Sequence, residues 1–288
     1  MDRGSRSGRG RGQGERCAVW GVLNVTPDSF SDGGEFEGDS AVARGLAMVR
    51  EGADVIDVGG ESTRPKGPAY GDGYDAVDGS EERRRTEPVV RALAAAGVQV
   101  SIDTTKGSVA RAALEAGARI VNDVSGGNDP ELLAACAEHG AELCLMHNRQ
   151  RGEVVGQQAH YTNVVHEVCE ELSARVERAV DAGVARDVIW LDPGVGFAKG
   201  ALDSARVIAN LGPLLDLGHR VLVGHSRKSF ISALTAEAPP KQRLGGTAAA
   251  LAVAVMQGAS AVRVHDVAMM VQATRLTEQL AQLREASV

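Results

Sequence analysis

Eight short runs rich in β-branched residues recur along this chain, separated by longer segments rich in Ala, Leu, Glu and Arg. The runs are "AVWGVLNV" (18–25), "DVIDVGG" (54–60), "VQVSID" (98–103), "RIVNDVSG" (119–126), "ELCLMH" (142–147), "VIWLDPG" (188–194), "RVLVGHS" (220–226) and "AVRVHD" (261–266). Their apolar character is continuous, which is what a parallel sheet covered on both faces requires. The spacing predicts helices near 39–52, 80–97, 106–118, 130–140, 161–184, 201–217, 241–259 and 267–285. Eight strands alternating with eight helices point to an α/β fold, a single (β/α)₈ barrel, and 288 residues suit it. A doubly wound open sheet is the alternative, but no G-x-G-x-x-G follows the first run.

Composition narrows the class. Aromatic residues are only 3% of a chain that is 43% hydrophobic, which fits close packing of helices on a sheet. A net charge of −7 argues against a nucleic-acid surface. Residues 1–16 are Arg- and Gly-rich and cannot bury apolar area, so they read as a disordered basic tail before a barrel at 17–288. Cys17, Cys136, Cys144 and Cys169 show no metal or redox spacing and read as reduced thiols. No apolar signal region or membrane-length run is visible, and the expected setting is cytoplasmic, with no nucleic-acid or membrane partner.

In a barrel the active site lies at the C-terminal strand ends. Those ends carry Asn24, then Asp57 and Glu61, Asp103, Asn122 with Asp123, His147, Asp192, Arg227 with Lys228, and Arg263 with His265. One or two would be helix caps; eight converging on one mouth point to a site. Asp57, Asp103 and Asp192 can grip a ligand edge that presents paired N–H donors. Lys228, Arg263 and His265 suit an anion, and Asn24 offers a neutral oxygen to a hard cation such as Mg²⁺. "GGEST" and "VSGG" add backbone N–H groups, a weak phosphate signal. A ligand with a heterocyclic donor edge and a phosphate end satisfies the set. Ser226 and Ser229 lack a nucleophile elbow, and no H-E-x-x-H is present, which favours displacement of a phosphate-type leaving group.

Residues 18–282 resemble the dihydropteroate synthase family of pterin-binding TIM barrels. The resemblance rests on "NVTPDSFSDGG", "DVGGESTRP", "SIDT", "NDVSGG", "DPGVGF", "VGHSRKSF" and "VRVHDV", all in family order. It implies a transferase of folate biosynthesis that joins dihydropterin-methyl diphosphate to 4-aminobenzoate and releases diphosphate. By the same resemblance, Asp103, Asn122, Asp192 and Lys228 would hold the pterin, with Asp103, Lys228 and Asp192 catalytic. Asn24, Arg263 and His265 would take the diphosphate, with Asn24 on Mg²⁺. Phe30, Thr63, Arg64, Pro65, Phe197 and Ser229 would form the aminobenzoate pocket that sulfonamides address. The family is typically a homodimer through its last helices.

Three stretches depart from the family pattern: "MHNRQ" after the fifth run, Ala198 in "GFAK", and extra residues around "KGPAYGDGYDAVD". A catalytically silent pterin-binding paralogue and a methyltetrahydrofolate-dependent methyltransferase are the alternatives. His139, His160, His166 and His219 read as surface residues, Trp20 and Trp190 as core, and "EERRR" (81–85) as a solvated face.

Overall fold

A computed structural model describes residues 16–25, 37–61, 77–149 and 159–285. Eight parallel strands close into a barrel in sequence order. They are β1 (Ala18–Asn24), β2 (Val55–Gly59), β3 (Val100–Asp103), β4 (Ile120–Asp123), β5 (Glu142–Met146), β6 (Ile189–Asp192), β7 (Arg220–Val223) and β8 (Ala261–Val264). Closure comes from β1 pairing with β8, with Trp20 beside Arg263 and Gly21 beside Val264. The expected fold holds.

Ten α-helices among the described residues surround the strands. They are α1 (Glu37–Arg50), α2 (Gly79–Ala95), α3 (Gly107–Ala116), α4 (Pro130–His139), α5 (Val164–Asp181), α6 (Ala201–Ala209), α7 (Gly212–Leu215), α8 (Ser229–Leu234), α9 (Leu244–Met256) and α10 (Val267–Glu285). The single helix expected over 201–217 is two, because Gly212 and Pro213 interrupt it and proline has no N–H to continue the ladder. The short α8 was not expected; it follows the polar turn after β7.

Alternation along the strands builds two separate cores. Val19, Ile56, Val58, Ile102, Val121, Leu143, Leu191, Val223 and Val262 pack outward against the helices. Trp20, Val55, Ile120, Cys144, Trp190, Leu222 and Ala261 form a second cluster inside the barrel. Helix ends obey local rules: Asp78 caps α2, Asp129 precedes Pro130 to cap α4, and Asn163 caps α5. Arg16, assigned to the tail, pairs with Asp54 at 2.9 Å; the rest of the tail lies outside the described residues. His219, expected at the surface, is buried, its Nδ1 3.2 Å from the Ile189 carbonyl.

Candidate active site

Side chains two apart on a strand share a face. Two residues beyond the inner cluster, the inward position changes from apolar to polar. Val55 leads to Asp57, Ile120 to Asn122, Trp190 to Asp192 and Ala261 to Arg263. On β1 the series Trp20, Val22 ends at Asn24, and β3 contributes Asp103. That single step turns a packed interior into a polar floor.

Arg263 organises the floor. Its Nε donates to Asp57 Oδ2 at 2.5 Å and its Nη2 to Asp103 Oδ2 at 2.6 Å. Asn122 Nδ2 donates to Asp57 Oδ2 at 3.1 Å. This leaves Asp57 Oδ1, Asp103 Oδ1 and Asn122 Oδ1 buried with no partner among the described residues. A buried unsatisfied acceptor costs about 1–3 kcal/mol, so three together form a demand for N–H donors. Asp192 uses Oδ1 to accept the Gly194 N–H at 2.7 Å. A Cβ placed on Gly224 would lie 3.5 Å from Asp192 Oδ2 and 3.9 Å from Lys228 Nζ, ordinary contact distances that put this strand end against both groups.

Burial shapes the charges. It raises the Asp103 carboxyl to about 7, with Arg263 pulling it down and Asp57 pushing it up. It raises Asp192 also, opposed first by Lys228. It lowers Lys228 to about 8, opposed by Asp192. Arg263 is held above its ordinary value: burial disfavours its charge, but Asp57 and Asp103 more than offset this.

The structure therefore brings Asp57, Asp103, Asn122, Asp192, Lys228 and Arg263 together. Asn24 stands at the edge of the floor: a Cβ on Gly59 would lie 3.9 Å from its Oδ1 and 3.8 Å from Asp103 Oδ2. His265 Nδ1 lies 3.1 Å from Ser226 Oγ, tying the turns after β7 and β8. Phe197 packs its ring 4.5 Å from Lys228 Nζ, and Ser229 opens α8 beside it. Phe30, Thr63, Arg64 and Pro65 lie outside the described residues. A cavity of about 220 Å³ beside Asp103 is lined by Glu61, Glu82, Ser125, Asn148 and Phe197.

Three expectations change. "VSGG" is not an open phosphate cradle, because Asp123 accepts from the Ser125 N–H at 2.8 Å and the Gly127 N–H at 2.5 Å. The "EERRR" run is not wholly solvated. Glu82 is buried and takes Lys106 Nζ at 2.6 Å, while Lys106 also pairs with Glu61. His147 does not join the floor: its ring meets Lys199 and Glu171 instead.

Lys199 was missed. It is buried, and burial lowers it to about 7. The available signal was a lysine closing the glycine-rich turn "PGVGFAK" directly after a strand that ends in Asp192.

A sequence profile described as pterin binding enzyme matches residues 20–265. The chain belongs to this family. Its relatives include the Mycobacterium leprae protein named dihydropteroate synthase, 47% identical over 90% of this chain and 91% of that one. The pterin-binding barrel superposes on Xanthomonas albilineans dihydropteroate synthase with 4-aminobenzoic acid at a TM-score of 0.84, with 42% identity over 92% of this chain and 93% of that one. The same enzyme in complex with 7,8-dihydropteroate gives a TM-score of 0.81, with 40% identity over 92% and 94% of the two chains.

Proposed function

We propose that this pterin-binding enzyme is a dihydropteroate synthase, a transferase that condenses dihydropterin-methyl diphosphate with 4-aminobenzoate and releases diphosphate. The observation that carries the reading is the set of three buried oxygens on Asp57, Asp103 and Asn122, beside Asp192, that have no partner among the described residues. A pterin presents amino and ring N–H donors along one edge, which matches acceptors fixed at strand ends. Arg263 holds two of the carboxylates in place and so preorganises them.

The chemistry follows from where charge develops. Breaking the C–O bond leaves a pterin-methyl cation, which the Asp103 and Asp192 carboxylates stabilise in their low-dielectric floor. Asn24 and His265 would take the departing diphosphate, with Arg263, whose Nε and Nη2 are engaged by Asp57 and Asp103, offering its remaining N–H groups. The arylamine nitrogen then captures the methylene carbon and loses a proton. Excluding water protects the cation from hydrolysis.

Asn24 fits a magnesium ion that arrives with the diphosphate. Its Oδ1 is one neutral oxygen, and no group of three His, Cys, Asp or Glu among the described residues offers a full ligand set. Mg²⁺ is commonly held by one or two protein oxygens plus phosphates and water. When bound there it would neutralise charge on the diphosphate.

The assembly we infer is a homodimer. Val253 and Met256 of α9 and Met269, Leu276 and Leu280 of α10 are exposed on two helices that pack together, more apolar surface than a solvated flank needs. No described helix is long and apolar enough to cross a membrane. The deciding assay is 4-aminobenzoate-dependent release of diphosphate, with and without Mg²⁺. Pterin binding without any release would leave a silent pterin-binding protein.

A further inference from the structure

The turn after β6, residues 193–199, is wound through three left-handed positions: Gly194 at φ +65°, Gly196 at +77° and Ala198 at +49°. Alanine rarely adopts this conformation, so something must hold it there. Lys199 lies beneath the turn, only 7% exposed. Its Nζ donates to the Gly194 carbonyl at 3.1 Å, the Phe197 carbonyl at 3.3 Å and His147 Nδ1 at 2.7 Å. An ammonium has three N–H groups, and all three are used.

His147 is itself fixed. Its backbone N–H donates to the Asp192 carbonyl at 2.8 Å, and its Nε2 lies 3.1 Å from Glu171 Oε2. A carboxylate can only accept, so Nε2 carries the proton and Nδ1 turns its lone pair to Lys199. Burial, then the charges of Lys199, Arg175 and Arg149, lower His147 to about 2 and keep it neutral. Glu171 in turn is held by Arg149 Nε at 2.7 Å.

The upper side of the same turn holds Lys228. The Val195 carbonyl accepts from its Nζ. A Cβ on Gly196 would lie 3.2 Å from its Cδ, and the Phe197 ring lies 4.5 Å from its Nζ. Three consecutive residues of one strained turn thus set the position of the lysine in the floor.

We propose that Lys199 is a positioning residue of the condensation, holding from beneath the turn that sets Lys228 in the pterin pocket. Its role in turnover rests on the synthase reading; its role in pterin binding does not. A lysine is an expensive filler for this space. Burial lowers it to about 7, against support from Asp192 on β6 and Glu171 on α5, with Lys228 and Arg175 adding repulsion and neutral His147 accepting. An apolar side chain would fill the volume without that penalty, but it could not hold two carbonyls and an imidazole.

The test is a double-mutant cycle read by calorimetry with a hydroxymethyl pterin on the intact chain. Lys228→Met and Lys199→Met should each weaken binding at least about tenfold, and the double variant should bind within about twofold of Lys228→Met. Multiplying losses, or unchanged affinity in Lys199→Met, would overturn the proposal. If Lys199→Met melts too low to titrate, Lys199→Gln enters the same cycle, keeping an amide N–H for one carbonyl. Diphosphate release by the unmodified protein is measured in parallel. Its absence would sink the synthase reading, while the cycle on pterin affinity would still decide Lys199.

Discussion

The two ends of the barrel interior use the same strands for opposite purposes. At the N-terminal end, Trp20 and Trp190 meet edge to face with centroids 5.4 Å apart. Arg220 lies 4.1 Å from the centre of the Trp190 ring and pairs with Glu142 at 2.8 Å, and Glu142 accepts the Trp190 indole N–H at 2.5 Å. Among the described residues, Trp20 Nε1 and Ser101 Oγ, which lies beside Ile120, lack a partner there. At the C-terminal end, three oxygens of Asp57, Asp103 and Asn122 lack a partner among the described residues, and the buried carboxylates of Asp57, Asp103 and Asp192 share a floor with the half-buried Lys228 and Arg263. One end is packed for stability, and the other keeps its acceptors for a ligand. The step between them is two residues of strand.

The largest effect should come from breaking the packed end. Trp20→Ala removes a fully buried side chain and should destabilise the protein by about 3–5 kcal/mol in denaturant unfolding. Pterin affinity of the folded fraction should change by less than about threefold, since the carboxylates lie one strand step above. A large loss of affinity would mean that the two ends are not separable.

Asp192→Asn should do the reverse. An amide can accept along one of two parallel N–H donors but presents its own N–H₂ to the other. Pterin affinity should fall about a hundredfold, or roughly 2.7 kcal/mol, with little change in melting temperature. Unchanged affinity by calorimetry would remove Asp192 from the pocket.

The buried charges of the floor should write themselves into the pH dependence of stability. Asp103 ionises near 7 in the folded protein but near 3.8 when unfolded, so its contribution to stability falls as pH rises between these values. Lys199 loses its proton near 7 when folded but near 10.5 when unfolded, so its contribution rises with pH over that window. Melting temperatures of Asp103→Asn should therefore gain on those of the unmodified protein from about pH 4 to 7. Those of Lys199→Met should lose ground from about pH 7 to 10. Parallel curves would show that neither group is as dry as its burial implies.

The smallest effect is Ala198→Gly. Relief of the left-handed strain should outweigh the added freedom of the unfolded chain by at most about 1 kcal/mol, seen as a slight rise in denaturant midpoint. A fall would show that the alanine methyl packs usefully on the turn.

Much of this was readable in one dimension. Strand positions follow from continuous β-branched runs, and the polar ends from the residue that closes each run, because alternation and burial act over two or three residues. The helix boundaries over 201–217 failed where a Gly-Pro pair outweighed a favourable pattern. The reading of "VSGG" failed because Asp123 satisfies its amides from within the loop.

What the sequence by itself determined is the alternation of elements, the chemistry gathered at the strand ends, and hence the kind of ligand that chemistry grips. What only the tertiary structure decided is which of those groups are already spent. Arg263, expected to face an anion, is tied to Asp57 and Asp103, which are 206 and 160 residues away in the chain. Lys199 and His147, separated by 52 residues, meet beneath a turn that neither would mark alone. Closing the barrel brings such groups within hydrogen-bond reach in a medium where a charge must find a partner. No local pattern records which partner that will be.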